Sequence, residues 1–407
     1  MGSEARAGTA ADVVDSERGW MLRAALPLLL FAAVIALPFY RVWGRWTAAE
    51  GYFTHGPLIP FVCMYLVLRK RKELTGKAPP EVGELYAFGI AAAVLYFVFA
   101  DFEWDKRWLF AILCTVSLGY VVYHLRHLKP EPWKPGLYVM VPGLLLCVFT
   151  SVHGIISVGW FFSVVLTCGL VLYFLGKRIS KVLWFPLLFL FTTVPLPEYI
   201  ITRVTLPLQM FATGNTVQIL RSPVVGIYCQ HQGTKIIFPA RERDLSALES
   251  GGQRQPLTKE VTVGAVCSGL RSLIALIAFG MLFAYITPLS KVKKLILLAA
   301  TIPASFIANL FRILALALVT YWWDAGLATG SELWDRMEQT FLSSFVPHLR
   351  KISNEPIHDF TGIMIFVVAF VALFSLERLL AYIEYRQKLA AEKAGIETDD
   401  APEDLDE

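Results

Sequence analysis

Three side chains of this 407-residue sequence could together carry out acyl transfer. Cys267 opens the stretch CSGLRSL, Arg312 lies in IANLFRILAL, and His358 lies in IHDFTGIMIF. A thiol becomes a strong nucleophile on deprotonation, and a neighbouring imidazole or cation lowers its pKa. In such a set Cys267 attacks a carbonyl and forms a thioester. His358 acts first as base and then as acid towards the leaving amine. Arg312 stabilises the oxyanion or holds a substrate carboxylate. Arg271 follows Cys267 by four residues, so on a helix it shares a face with the thiol. There it depresses the thiol pKa or orients the substrate. Ser268 and Asn309 are supporting candidates, both able to hydrogen-bond between helices.

Each residue also has a plainer reading. A cysteine beside Ser and Gly in an apolar run packs as a small core residue. An arginine near a helix end extends its head group to the interface. A histidine can simply cap a helix. What sets these three apart is their depth. An arginine inside a hydrophobic span is costly and marks a functional site. At the helical rise, Arg312 lies about 27 Å from the basic Lys294, and Cys267 about 27 Å from Tyr285. His358 lies about 30 Å from Arg378 on the same count. Three separate spans thus bring the three groups to one level, near the external interface.

The elements that position them are membrane spans. Hydrophobic residues make up 56% of the chain and charged ones 17%, with a net charge of +4 and a mean hydropathy of +0.55. Apolar runs split by short basic loops predict an all-α polytopic integral membrane protein with about ten transmembrane helices. A cytoplasmic tail covers 1–21, the membrane domain 22–378 and a second cytoplasmic tail 379–407. The basic run RKRK at 69–72 is assigned to the cytoplasm by the positive-inside rule. A long external insert, about 196–262, precedes the Cys267 span at 263–285. Within the insert, 201–220 predicts an amphipathic helix along the interface. GIYCQHQGTKIIFPA predicts a short hairpin. A second external loop covers about 324–357. His348 in that loop competes for the base role; His358 is preferred because it opens a span. The six cysteines show no CxxC and no zinc spacing, and nothing resembles a nucleic-acid motif.

CSGLRSL, ANLFRI and HDFTG, each on a late span, closely resemble the exosortase/archaeosortase family. YFTHGPLIPFVCMYLVLRKRKEL and PLPEY resemble that family too, so the likeness runs from about 22 to 378. Two features depart from the pattern. Ala265 stands where relatives commonly carry an acidic residue, and the polar insert 241–255 is longer than usual. The resemblance implies a transpeptidase-like enzyme with Cys267, Arg312 and His358 as its triad on the external face of a bacterial cytoplasmic (inner) membrane. It implies as substrates secreted proteins with a C-terminal sorting tail of the PEP-CTERM kind: a short Pro-containing signal, a transmembrane helix and a basic cluster. An acceptor from the envelope or an extracellular polymer is the implied second partner. No metal or organic cofactor is called for. Two rival readings stand beside this one: a transporter in which Arg271 and Arg312 bind an anionic solute, and a membrane acyltransferase, which would not need Cys267.

Overall fold

The computed structural model describes residues 30–48, 51–81, 106–239, 259–263, 269–322 and 356–393. The chain divides into two compact units, Met1–Pro197 and Glu198–Glu407. The expected span at 85–100, the polar insert 241–255 and most of the external loop 324–357 lie outside the described residues.

In the first unit, α1 covers 30–47. A 3-10 turn, Gly56–Leu58, leads into α2 (Ile59–Arg69) and α3 (Arg71–Thr75). Then follow α4 (Lys106–His124), α5 (Leu137–Val152), α6 (Ile156–Leu170), α7 (Gly176–Val182) and α8 (Trp184–Phe189). The unit is held by aromatic packing at one end. Trp46 is 2% exposed and meets Trp160 edge-on with centroids 5.1 Å apart. Both indoles are satisfied by Thr193: Trp46 Nε1 donates to its carbonyl at 3.0 Å and Trp160 Nε1 to its hydroxyl at 2.8 Å. Buried indole N–H groups need such partners, which fixes the ring orientations.

The second unit opens with α9 (Glu198–Arg221), followed by β1 (Gln230–Gln232), β2 (Lys235–Phe238) and β3 (Lys259–Thr262). The three strands form one antiparallel sheet in the order β1-β2-β3. The expected hairpin is therefore present, and a third strand joins it. Next come α10 (Leu270–Ile286), α11 (Lys291–Trp322) and α12 (Pro356–Lys393). One face of the sheet is sealed by a core of Ile227, Cys229, Ile236, Phe238 and Val263 with Leu220 of α9 and Ile313 and Ala317 of α11. α9 also sets Phe211 against Phe306 of α11, with centroids 6.2 Å apart. It thus packs on α11. At the opposite end, Lys293 of α11 pairs with Glu384 of α12 at 3.3 Å. Glu384 also accepts from the Ser290 amide at 3.1 Å, and Lys294 donates to the Tyr285 carbonyl at 3.4 Å. These bonds fix the register of α10, α11 and α12 at that end.

Two helices of this unit are polar inside and apolar outside. On α9, Thr205, Gln209, Thr213 and Thr216 are buried while Leu206, Met210 and Phe211 are exposed. On α11, Thr301, Ser305, Asn309 and Arg312 are buried while Ile302, Ile307 and Phe311 are exposed. This polarity suits a helix whose outer surroundings are lipid tails. Among the described residues, five helical segments are long and apolar enough to cross a membrane: Arg107–His124, Lys134–Val152, Ile156–Val182, Lys291–Leu318 and Ile365–Ala390. The chain is a multi-pass membrane protein. Ten spans are not reached among the described residues. The run expected to span at 263–285 is helical over Leu270–Ile286, and its residues 264–268 lie outside the described ones.

α10 and α11 approach closely because Gly280 has no side chain. A Cβ there would lie 2.1 Å from Thr301 Cγ2. Gly280→Ala is expected to force Thr301 aside and to cost about 1–3 kcal/mol. Adding Thr301→Ser removes the opposing methyl and should recover most of the loss. Thermal unfolding of the detergent-solubilised protein, read as a double-mutant cycle, checks this.

Candidate active site

The site is best followed outward from the helix layer below it. Leu276 of α10, Ala308 of α11 and Ile365 of α12 pack together as one buried cluster. Measured from that layer, away from the Lys293–Glu384 end, the first residue of α10 is about 9 Å out. Arg312 is about 6 Å out and the His358 backbone about 10 Å out. All three helices therefore reach a similar level, one to two turns beyond a dry layer.

Arg312 is 8% exposed and Asn309, one turn earlier, is 1% exposed. Below them on the same stripe are Ser305 at 1% and Thr301 at 0%. α10 answers with Ser272, whose hydroxyl lies 3.4 Å from the Ser305 hydroxyl and donates to the Gly269 carbonyl at 2.9 Å. Arg271 is half-buried. The seam between α10 and α11 is thus polar at this level, whereas a few turns below it is closed by leucine, alanine and phenylalanine.

Gly269 is the hinge of the arrangement. Its φ is +82°, in the left-handed region, and it caps the start of α10. A Cβ would meet Asn309 Cγ and Nδ2, each at 3.0 Å. Only glycine satisfies both demands, the positive φ and the contact with Asn309. Arg271 is the second residue of α10, which begins at Leu270; the expectation that it shares a helical face with Cys267 falls on a residue outside the described ones. On the far side of the cysteine, Val263 continues β3: its amide donates to the Thr234 carbonyl at 2.8 Å.

Cys267 and Ser268 lie outside the described residues, as does the His358 side chain; His358 itself falls in the first turn of α12. Of the predicted residues, Arg312 and Asn309 are buried on the stripe of α11 whose Ser305 meets Ser272 of α10, and Arg271 is half-buried on α10. His348 also lies outside the described residues. His55 sits in the first unit, in the turn before Gly56, where burial holds its imidazole below the ordinary value. Cys229 is a free thiol, 0% exposed beneath the sheet. Burial pushes its pKa up, with Arg221 offsetting part of the effect, so it is poorly suited to act as a nucleophile. Among the described residues no group of His, Cys, Asp and Glu could hold a metal ion.

Gln209 was not singled out by the sequence. It is 8% exposed on α9, and its Nε2 donates to the Val263 carbonyl at 3.0 Å. The signal was present in the polar spacing Thr205, Gln209, Thr213, Thr216, which marks one face of an otherwise apolar helix.

The geometry at Gly269 makes a graded prediction. Gly269→Ala should cost about 1–2 kcal/mol for the left-handed backbone, plus the clash with Asn309. Asn309→Ala added to it relieves only the clash. The double variant should therefore melt above Gly269→Ala, by more than additivity allows, yet below wild type.

Residues 104–375, more than half of the chain, match the family model described as transmembrane exosortase. No curated protein and no solved structure shows significant similarity to the chain. The matched region takes in the seam between α10 and α11 and most of the helices that build it. The chain belongs to the transmembrane exosortase family.

Proposed function

We propose that the protein is a membrane-embedded cysteine peptidase/transpeptidase that removes the C-terminal sorting tail of secreted proteins. One observation supports this most directly. Arg312, buried in a span of a family member, lies one turn outward from the Gly269–Asn309 contact where the Cys267-bearing segment joins α10. A cation held out of water at that point is suited to stabilise charge forming beside the thiol.

In this reading Cys267 is the nucleophile. Its thiolate attacks the carbonyl carbon of the scissile bond, and the oxyanion that forms is stabilised by Arg312. Collapse of the adduct expels the amine of the tail, which takes a proton from His358 and leaves a thioester on Cys267. Water or an acceptor nucleophile then gives up a proton to His358 and attacks the thioester, releasing the thiolate. Asn309, Ser268 and Arg271 support the substrate or the thiol. A sorting tail with its own transmembrane helix would hold its scissile bond at the level of the polar seam, its basic cluster staying on the Lys293–Glu384 side. The protein would act in a bacterial inner membrane with this site on the external face. Family membership does not favour the anion transporter or the acyltransferase.

Co-expression with a tagged, tail-bearing secreted protein of the same genome tests the reading. Cys267→Ala, Arg312→Ala and His358→Ala should each lower tail removal to below about one-hundredth of wild type at equal membrane levels. The mass of the new C-terminus separates hydrolysis from transfer. Unchanged processing by Cys267→Ala would remove the nucleophile assignment. Processing kept by Cys267→Ser would point to an acyltransferase. Solute uptake by proteoliposomes that survives Cys267→Ala would point to transport.

A further inference from the structure

We propose that the basic end of the first unit is a binding surface for anionic phospholipids, presented by α3, the turn after α4, and α7. The proposal is independent of the chemistry assigned to the second unit.

Three short segments meet at this end over one apolar cluster. Leu74 of α3, Leu128 of the turn, Ile179 of α7 and Leu183 just after it are buried together. Their basic neighbours are exposed: Lys72 on α3, Arg126 and Lys129 in the turn, and Lys177, Arg178 and Lys181 on α7. Burying the leucines and the isoleucine thus holds the segments side by side with six cations on the outside.

The surface is built on fixed backbone. Arg71, unlike those six, is half-buried and structural. Its Nε donates to the His124 carbonyl at 3.0 Å and its Nη1 to the Ala78 carbonyl at 3.0 Å, which ties α3 to the end of α4. The loop from Lys129 to Lys134 is clamped onto the junction of α6 and α7. The Trp133 amide donates to the Tyr173 carbonyl at 3.0 Å. Gly176 has a φ of +86°, and a Cβ there would lie 1.9 Å from the Glu131 carbonyl oxygen. Glycine meets both the left-handed backbone and the close approach. Two of the cations also rest on aromatic rings: Lys177 lies 5.7 Å from the Trp133 ring centre and Arg126 lies 4.6 Å from that of Tyr123.

Charge and depth identify the partner. Among the described residues, none of the six cations pairs with a carboxylate. The basic end of the second unit is different, for Lys293 and Lys388 share Glu384 at 3.3 and 3.7 Å. Uncompensated cations this close repel one another and draw in an external anion. The membrane-spanning segments Arg107–His124, Lys134–Val152 and Ile156–Val182 each have one end at this surface, so the cations stand at headgroup depth. Tyr123, Tyr138 and Trp184 are exposed beside them, as aromatic residues are at a membrane boundary. Cations flanked by exposed apolar surface suit a ligand with an anionic head and apolar chains. A soluble polyanion would use the cations alone. The positive-inside rule assigns this end to the cytoplasmic leaflet, whose surface is anionic.

Native mass spectrometry of the purified full-length protein in a non-ionic detergent, titrated with phosphatidylglycerol or phosphatidylcholine, tests the proposal. Wild type should bind phosphatidylglycerol at least about tenfold more tightly than phosphatidylcholine. Lys177→Gln, Arg178→Gln and Lys181→Gln combined should weaken phosphatidylglycerol binding at least about tenfold, with phosphatidylcholine binding and the unfolding temperature unchanged. Lys72→Gln, Arg126→Gln and Lys129→Gln combined neutralise the other two segments and serve where the first set does not fold. Lys291→Gln with Lys388→Gln, in the second unit, should leave the affinity as it is. Glycerol phosphate, which has the charge without the chains, should compete only at concentrations at least about a hundredfold higher than the lipid. Equal affinity of wild type for the two lipids would overturn the proposal, as would full affinity in a folded triple variant. So would an equal loss in the Lys291/Lys388 variant, which would mean attraction to net charge alone. Competition by glycerol phosphate or a short RNA at the lipid's own concentration would assign the surface to a soluble anion instead.

Discussion

A guanidinium buried in a membrane span is the constraint from which the second unit can be understood. Arg312 is 8% exposed on a helix whose outer face carries Ile302, Ile307 and Phe311. Lipid tails offer no hydrogen-bond partners, so an arginine at this depth must be turned inward and given a polar surrounding. The stripe Thr301, Ser305, Asn309, Arg312 does so along α11, and Ser272 continues it onto α10. On α9 the same logic places four polar residues inward at equivalent spacing. These helices are inverted relative to those of a soluble protein because their solvent is inverted.

That inversion sets a second demand. Close helix approach cannot be driven by excluding water, so it depends on small residues and interhelical hydrogen bonds. Gly280 lets Thr301 approach, and Ser272 meets Ser305. Further along, apolar contacts take over: Phe279 and Phe283 of α10 pack with Phe370 and Phe374 of α12, with centroids as close as 4.4 Å. The unit is therefore dry at one level and polar at the next. The polar level coincides with the start of α10 at Gly269.

Much of this was legible in the sequence, for identifiable reasons. An arginine in an apolar run is conspicuous, so Arg312 and Arg271 were found directly. The hairpin was signalled by QGTK between two β-prone runs, and the turn at Gly233 has the positive φ that such a turn requires. The path through Val263 was not legible. Val261 and Val263 are as apolar as the helix that follows, and hydropathy cannot separate a strand from the start of a span. The helix start was written in Gly269, but a glycine inside an apolar run is tolerated in membrane helices and so is weak evidence of a break. Gln209 was hidden for a related reason. Its helix was read for its apolar face, when the informative face was the polar one.

The sheet connects these two oversights. Three strands of three or four residues are too short to be stable alone. They persist here because one face is sealed by Leu220 of α9 and by Ile313 and Ala317 of α11, with Phe238 set against Tyr321 at 5.5 Å. Ile313 immediately follows Arg312. The side chain that anchors the sheet and the one that brings charge into the membrane are therefore adjacent on one helix, facing different partners. A shift of α11 would move both together, so the strand leading to Cys267 and the guanidinium are held in a common frame.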